Sequence, residues 1–446
     1  MSEGTPQKLT DNRAFRRILG LVSTFPIPLI GYAFSWASVL ALLLIPMRTV
    51  RGWPLRVKVI LWLALLSMAM LAISALIFKA DIATFNVYST AAFCLMMIAA
   101  VKLTDGVQAA SHFLAWSSIG TVLFYIFIGA ENSRDTFEHL WKYGIAVPIT
   151  FLVIFLALAR TQHRAIPIIL LVAIGSMSIF LGFRSHGLVC MAVVLLLFVK
   201  GKSRSSGRGL FKAFLAAAAF VALATIMPIA INSGLFGEAV KARTEEQISS
   251  GASLLLAGRV EPPLSVAAVL ARPFLGWGDL NNIDQATMAQ GRDFARALGM
   301  DDPAAYMGLW IRSDGRVSVH SVFFEAWVQG GILAALFPIA LLALFVAGIT
   351  RTSGKWSPMV VLVSVQGIWD VLFSTWGIGR PATLALSAIV VAWAVTDAHQ
   401  KQQESAAEEI MRNGAAVSRR SSRLRTPSRP SSLAASRRDA TQTSDL

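Results

Sequence analysis

The stretch VSVHSVFFEAWVQGGILAALFPIALLALF, residues 317–345, begins with a histidine and continues as an apolar helix. His320 follows the longest polar stretch of the chain. A neutral imidazole at a membrane surface can take a proton from a hydroxyl near pH 7. The plainer reading is a polar ring resting at a helix start. Arg184 stands in the turn GFRSHG, between two apolar runs. Desolvating a guanidinium there is costly unless an anion accompanies it. Its planar fork suits a phosphate, although a snorkelling interface arginine accounts for it too. His186, two residues on, is either a second polar contact or a turn residue.

Weaker candidates lie between 250 and 380. LAGRVEPPL carries Arg259 and VLARPFLGWGDLNN carries Arg272. Asp370, in GIWDVLFSTWGIGR, sits well inside an apolar run, and an intramembrane carboxylate is a functional candidate by default. Arg380 follows ten residues later, too far for a direct pair along one helix. Asp370 serves structure or function equally well on this reading. No Walker phosphate loop, Cys/His zinc spacing or Asp-x-Asp pair is present, and the adjacent Asp301 and Asp302 point apart. The sequence therefore predicts no metal and no cofactor, and any phosphate would be met by arginines.

These residues need a frame. The chain has 446 residues, is 55% hydrophobic and only 15% charged, with mean hydropathy +0.61. A soluble protein carries nearer a quarter charged residues. Apolar runs occur at about 18–33, 36–47, 59–78, 82–101, 108–129, 143–159, 165–182, 187–199, 213–231, 320–348, 357–376 and 382–396. Many approach the roughly 20 residues that cross a bilayer as helix. The fold class is thus all-α: a polytopic membrane bundle of about twelve spans. The first two runs are short and interrupted by Pro26, Pro28 and Gly31, so that one long tilted helix is the alternative.

Charge placement favours twelve. Cytoplasmic loops are enriched in Lys and Arg. With residues 1–17 inside, two crossings keep Arg48, Arg51, Arg56 and Lys58 on the same side as Arg13, Arg16 and Arg17. Later inside loops then hold Lys102, Arg160, Arg164, the basic group at 200–212, Arg351 and Lys355. Short outside loops hold only Lys79, Arg134, Lys142, Arg184 and Arg380. The organisation is a cytoplasmic N-terminus at 1–17, helices over 18–231, an extracytoplasmic loop of short helices at 232–319, helices over 320–396, and a Ser/Arg-rich cytoplasmic tail at 397–446. The tail is too polar to fold. It lacks interleaved aromatics for base stacking, so anionic inner-leaflet lipid is a better partner for the net charge of +15 than nucleic acid. Cys94 and Cys190 sit within apolar runs and read as small buried residues. No Ala-x-Ala-like site follows the first run, so the N-terminus is expected to stay attached.

The pattern resembles the O-antigen ligases and O-antigen polymerases, bacterial multi-spanning transferases of lipid-linked glycans. HSVFFEAWVQG matches the ligases' His-x9-Gly through His320 and Gly330. FRSHG supplies the family-type arginine, Arg184. AGRVE and ARPFLGWG match the outer-loop elements through Arg259, Pro273, Gly276 and Gly278, and LWKYGIA at 140–146 is also similar. The likeness spans roughly 130–350. It departs at Ser321, where the family often has Asn, and at Pro262-Pro263, where a tryptophan is common. The resemblance implies a glycan donor on undecaprenyl diphosphate at the outer face of the bacterial cytoplasmic membrane. It also implies a glycan or lipid acceptor, arginines on the leaving diphosphate and His320 as base. The competing expectation is a transporter or flippase for a polysaccharide precursor. It sits poorly with the absence of an evident repeat.

Overall fold

The computed structural model describes residues 13–27, 33–42, 53–82, 85–129, 136–161, 163, 165–201, 233, 261–300, 310–311 and 315–424. Arg259, the apolar run at 213–231 and the Asp301/Asp302 pair lie outside the described residues. The described chain is helical. Its only extended pairings are isolated bridges between Pro26 and Ser35 and between Ile311 and Val317.

The helices follow the apolar runs. They are α1 (Arg13–Leu21), α2 (Trp36–Leu42), α3 (Leu55–Ile77), α4 (Phe85–Leu103), α5 (Val107–Phe127) and α6 (Phe137–Arg160). Next come α7 (Ala165–Phe180), α8 (Arg184–Gly201), α9 (Pro262–Ala271), α10 (Gln285–Ala297), α11 (Val322–Arg351), α12 (Ser357–Phe373) and α13 (Arg380–Leu424). Among the described residues, six stretches are long and apolar enough to cross a membrane: α3, α4, α5, α6, α11 and the Arg380–Glu404 part of α13. Helix α3 leaves Leu55 74%, Trp62 71% and Leu76 62% exposed. Apolar side chains presented this way suit lipid, and helices that satisfy their own backbone suit it as well.

Helices α1 and α2 are nine and seven residues long. At 1.5 Å per residue neither described helix covers a hydrocarbon core of about 30 Å. Between them the chain turns back: Ile27 N donates to Phe34 O (2.9 Å) and Trp36 N to Phe25 O (3.1 Å). The prolines remove backbone donors where a continuous helix would need them.

Two features position the candidate residues. The first is a break in α11 at Gly331, whose φ is 74°. The PFLGWG loop, 273–278, occupies the break. Trp277 N donates to Val328 O (2.7 Å), Gly278 N to Gln329 O (3.0 Å) and Ile332 N to Pro273 O (2.9 Å). The loop takes over bonds that an unbroken helix would make to itself. A Cβ at Gly331 would stand 1.9 Å from Phe274 O, and one at Gly276 2.5 Å from Val328 O. Gly330 packs on Leu71 of α3, and Gly278 lies against Ser74 O of the same helix. The glycines of both motifs thus meet at one junction.

The second feature is the turn between α12 and α13. Helix α12 ends at Phe373 and the chain runs non-helically to Gly379, whose φ is 72°. Val322 N donates to Ser374 O (2.9 Å) and Ser321 Oγ to Val371 O (3.3 Å), tying the start of α11 to the end of α12.

The chain divides into two units, 1–398 and 399–446. Helix α13 continues past 397, into the segment expected as a polar tail, to Leu424. The segment KQQESAAEEIMR, 401–412, is rich in strong helix formers, so the loss of apolar residues at 397 does not end the helix. The remainder of the tail lies outside the described residues.

Candidate functional site

His320 takes a left-handed backbone, φ 41°, immediately before Ser321 caps α11 by accepting from Phe324 N (3.2 Å). A non-glycine residue there costs of order 1–3 kcal/mol unless its surroundings hold it. Here they do. His320 Nδ1 lies 2.9 Å from Glu261 Oε1 and 3.0 Å from Ser318 Oγ. An Nδ1 proton donated to that carboxylate sets the tautomer in which Nε2 is the acceptor. His320 is 42% exposed, its carboxylate partner 12%. Glu261 is set by α9: it precedes Pro262 and Pro263, which start that helix.

The ring lines a cavity of about 430 Å³. The same wall carries Lys142, Arg380, Asp370, Tyr125 and Tyr143, while Phe151, Trp369 and Phe373 give it an apolar side. Lys142 and Tyr143 come from a π-helical turn at Trp141–Ile145, which opens the wall of α6. Lys142 Nζ stands 5.0 Å from the Tyr143 ring. The cavity is therefore amphipathic, with two cations, an imidazole and aromatic rings.

The spacing that keeps Asp370 and Arg380 from pairing along one helix does not apply. The two residues do not share a helix. The turn after Phe373 folds the chain back, and Arg380 Nη1 comes to 3.9 Å from Asp370 Oδ1. Asp370 also accepts from Gln366 Nε2 (3.1 Å) and Ser374 Oγ (3.4 Å). Such a carboxylate fixes the guanidinium at the cavity wall.

The other candidates are distributed around this centre. His186 is 2% exposed within the first turn of α8, with Nε2 2.9 Å from Thr150 Oγ1. It lies beside Gln366, which lines the cavity. His186 Nδ1 and Gln366 Oε1 lack partners at hydrogen-bonding geometry. Arg184 opens α8 between Phe183 and Ser185, both of which line the cavity. Arg272 stands elsewhere, its guanidinium 4.0 Å from the Trp277 ring centre and 4.6 Å from that of Phe78. There it braces the PFLGWG loop.

Sequence reasoning missed Glu261, Lys142 and Glu325. Glu261 lies two residues after Arg259 in AGRVE, with nothing local to mark it. Lys142 reads in the sequence as a loop charge. Glu325, 7% exposed in the first turn of α11, is a buried carboxylate in an apolar run and carried the same signal as Asp370. Compared with protein-family models, curated proteins and solved structures, the chain has no significant match.

Proposed function

We propose that the protein is a membrane glycosyltransferase of the O-antigen ligase or polymerase type. In this reading it moves a glycan from undecaprenyl diphosphate to an acceptor hydroxyl at the outer face of the bacterial cytoplasmic membrane. The observation that carries the reading is the Glu261–His320 pair at a cavity that also holds Lys142 and Arg380. Base, anion-binding groups and an apolar wall are what a lipid diphosphate sugar and an incoming hydroxyl require.

His320 Nε2 takes the acceptor proton while the acceptor oxygen bonds to the anomeric carbon and inverts it. The bond from that carbon to the phosphate oxygen breaks, and its electron pair leaves with the diphosphate. Arg380 and Lys142 meet the growing negative charge. Arg184, beside the cavity, and Arg259 are added to this role by the resemblance alone. Glu261 stabilises the imidazolium that forms.

The proposed topology keeps twelve apolar segments and both termini cytoplasmic. The short α1 and α2 suit a re-entrant pair that returns to the side it entered, which leaves the charge distribution unchanged. The alternative, a transporter of a polysaccharide precursor, draws on the Asp370–Arg380 pair as a coupling site. An assay in nanodiscs separates the two, with undecaprenyl-diphosphate glycan as donor and product attachment or length read on a gel. New covalent product from wild-type protein, lost in His320→Ala, supports transfer. Movement of intact donor across liposomes without new bonds would replace it with transport. Transfer is expected to persist in EDTA, since the proposed leaving group is met by side-chain cations; activity lost in EDTA and restored by Mg²⁺ would overturn that part.

A further inference from the structure

A second, larger cavity of about 830 Å³ takes no part in the chemistry just proposed. Its wall differs in kind from that of the smaller one. Asn281 Oδ1 accepts from Val317 N (3.0 Å), which leaves its amide hydrogens uncommitted. Asn282 Nδ2 donates to Trp277 O (3.0 Å), which leaves its carbonyl. Both side chains face the cavity. Gln329, on α11, is only 5% exposed, lines the cavity, and its Oε1 has no hydrogen-bond partner. Glu325, one turn earlier on the same helix face, is 7% exposed and lines the cavity. Buried polar groups left unsatisfied are destabilising, and they persist where a ligand or water meets them.

The charges narrow the ligand. Among the described residues, Asp81, Asp279 and Glu325 share the wall with one cation, Arg316. A phosphate would meet more carboxylates than cations here. A neutral polyol would not be repelled. Side-chain amides donate and accept on adjacent atoms, which matches the neighbouring hydroxyls of a sugar ring. Trp376 in the same wall offers an apolar face for the ring's carbon–hydrogen surface.

We infer that the larger cavity is a binding site for an uncharged saccharide. It adjoins the base. Thr375 lines both cavities, and Ser318 lines the larger one while hydrogen-bonding His320 Nδ1. A saccharide bound there brings a hydroxyl to the partition at which His320 stands. That this saccharide is the acceptor rests on the proposed transfer reaction; that it binds rests on the cavity alone.

The test uses the full chain in nanodiscs and neutral oligosaccharide released by mild acid from the producing organism's envelope. Saturation-transfer NMR and titration read binding without any turnover. Wild-type protein is expected to bind this probe, and inorganic diphosphate is expected not to compete. Gln329→Leu keeps the volume and removes the orphaned amide. It should weaken binding at least tenfold, with the melting temperature unchanged or raised. Asn282→Ala is the second variant should Gln329→Leu fold poorly. Lys142→Ala, in the other cavity, should keep saccharide affinity while losing transfer. No binding by the wild type, wild-type affinity in both cavity variants, or displacement by diphosphate would overturn the site. Binding with no transfer under any condition would remove the reaction and leave the site standing.

Discussion

The role proposed for His320 depends on what holds Nδ1. Were the ring a mere helix-start residue, Glu261 would be replaceable by any polar side chain that fits. Under the proposed reaction, Glu261→Gln keeps the shape and loses the charge that stabilises imidazolium. Transfer should fall by about 10²-fold or more, approaching the 10²–10⁴-fold expected of His320→Ala. Protein level and detergent melting should be near normal in both, and full activity in His320→Ala would remove the proposed base. Arg380 is tested against its anchor. Asp370→Asn leaves the cation but loosens the 3.9 Å pair, so donor KM should rise more than kcat falls. Arg184→Lys should be nearly as damaging as Arg184→Ala, because lysine lacks the planar fork; near-wild-type transfer by the lysine variant would show that charge alone suffices. His320, Asp370 and Arg380 were legible because a titratable group beside an apolar run is unusual on its face. Glu261 was not, because it pairs with a residue 59 positions later, by the numbers of the two residues. Nothing local marks such a partner.

At the scale of elements, the break in α11 is the joint on which the site is assembled. Residues before Gly331 carry Glu325 and Gln329, and residues after it form the apolar span. The PFLGWG loop holds the break open through three backbone bonds. Gly331→Ala must place a Cβ in the left-handed region, at roughly 1–2 kcal/mol, and against Phe274 O. Displacing that loop adds about 1–3 kcal/mol of overpacking. A clear drop in detergent melting temperature is expected, with loss of transfer even in the folded fraction. Gly354→Ala is the comparison: it has positive φ but open space, and should lose stability without losing transfer by folded protein. Equal effects on folded-state transfer would show that the joint is not special. The apolar runs between 59 and 199 and between 320 and 376 fall on α3–α8, α11 and α12, since a lipid-facing helix needs its length in one stretch, whereas the run at 18–33 meets a helix that ends at Leu21. The joint was invisible. Glycines in two motifs can be read from sequence, but their meeting requires α9, the loop and α11 to pack first. The Asp370–Arg380 pair was hidden for the same reason, since α12 ends three residues beyond the aspartate.

For the whole molecule, the decisive quantity is which side of the membrane holds His320. Among the described residues six helices are long enough to cross by themselves, while the described α1 and α2 are not, so helix lengths leave sidedness to the charges. Reporters fused after Arg56, Lys202 and Arg420 are expected to be cytoplasmic, and one inserted near Gln290 in α10 to be outside. If α1 and α2 formed a single crossing in place of a returning pair, Arg56 would change sides and the positive residues at 48–58 would face outward, against the usual bias. A cytoplasmic signal at Gln290 would be more serious, because α10 packs with α9, and α9 follows directly from Glu261. That result would put the Glu261–His320 pair on the side opposite the lipid-linked donor and end the transferase reading. The same experiment bears on the C-terminal segment. Arg420 lies within the helical continuation to Leu424, so its reporter tests the side and not the order of that segment. Truncation after Gln400 removes the basic helix end and tail yet leaves every residue of both cavities. Glycan product per molecule of protein should therefore stay near normal. Complete loss of product at normal protein level would mean that the basic segment acts in the reaction, through a contact that neither cavity contains.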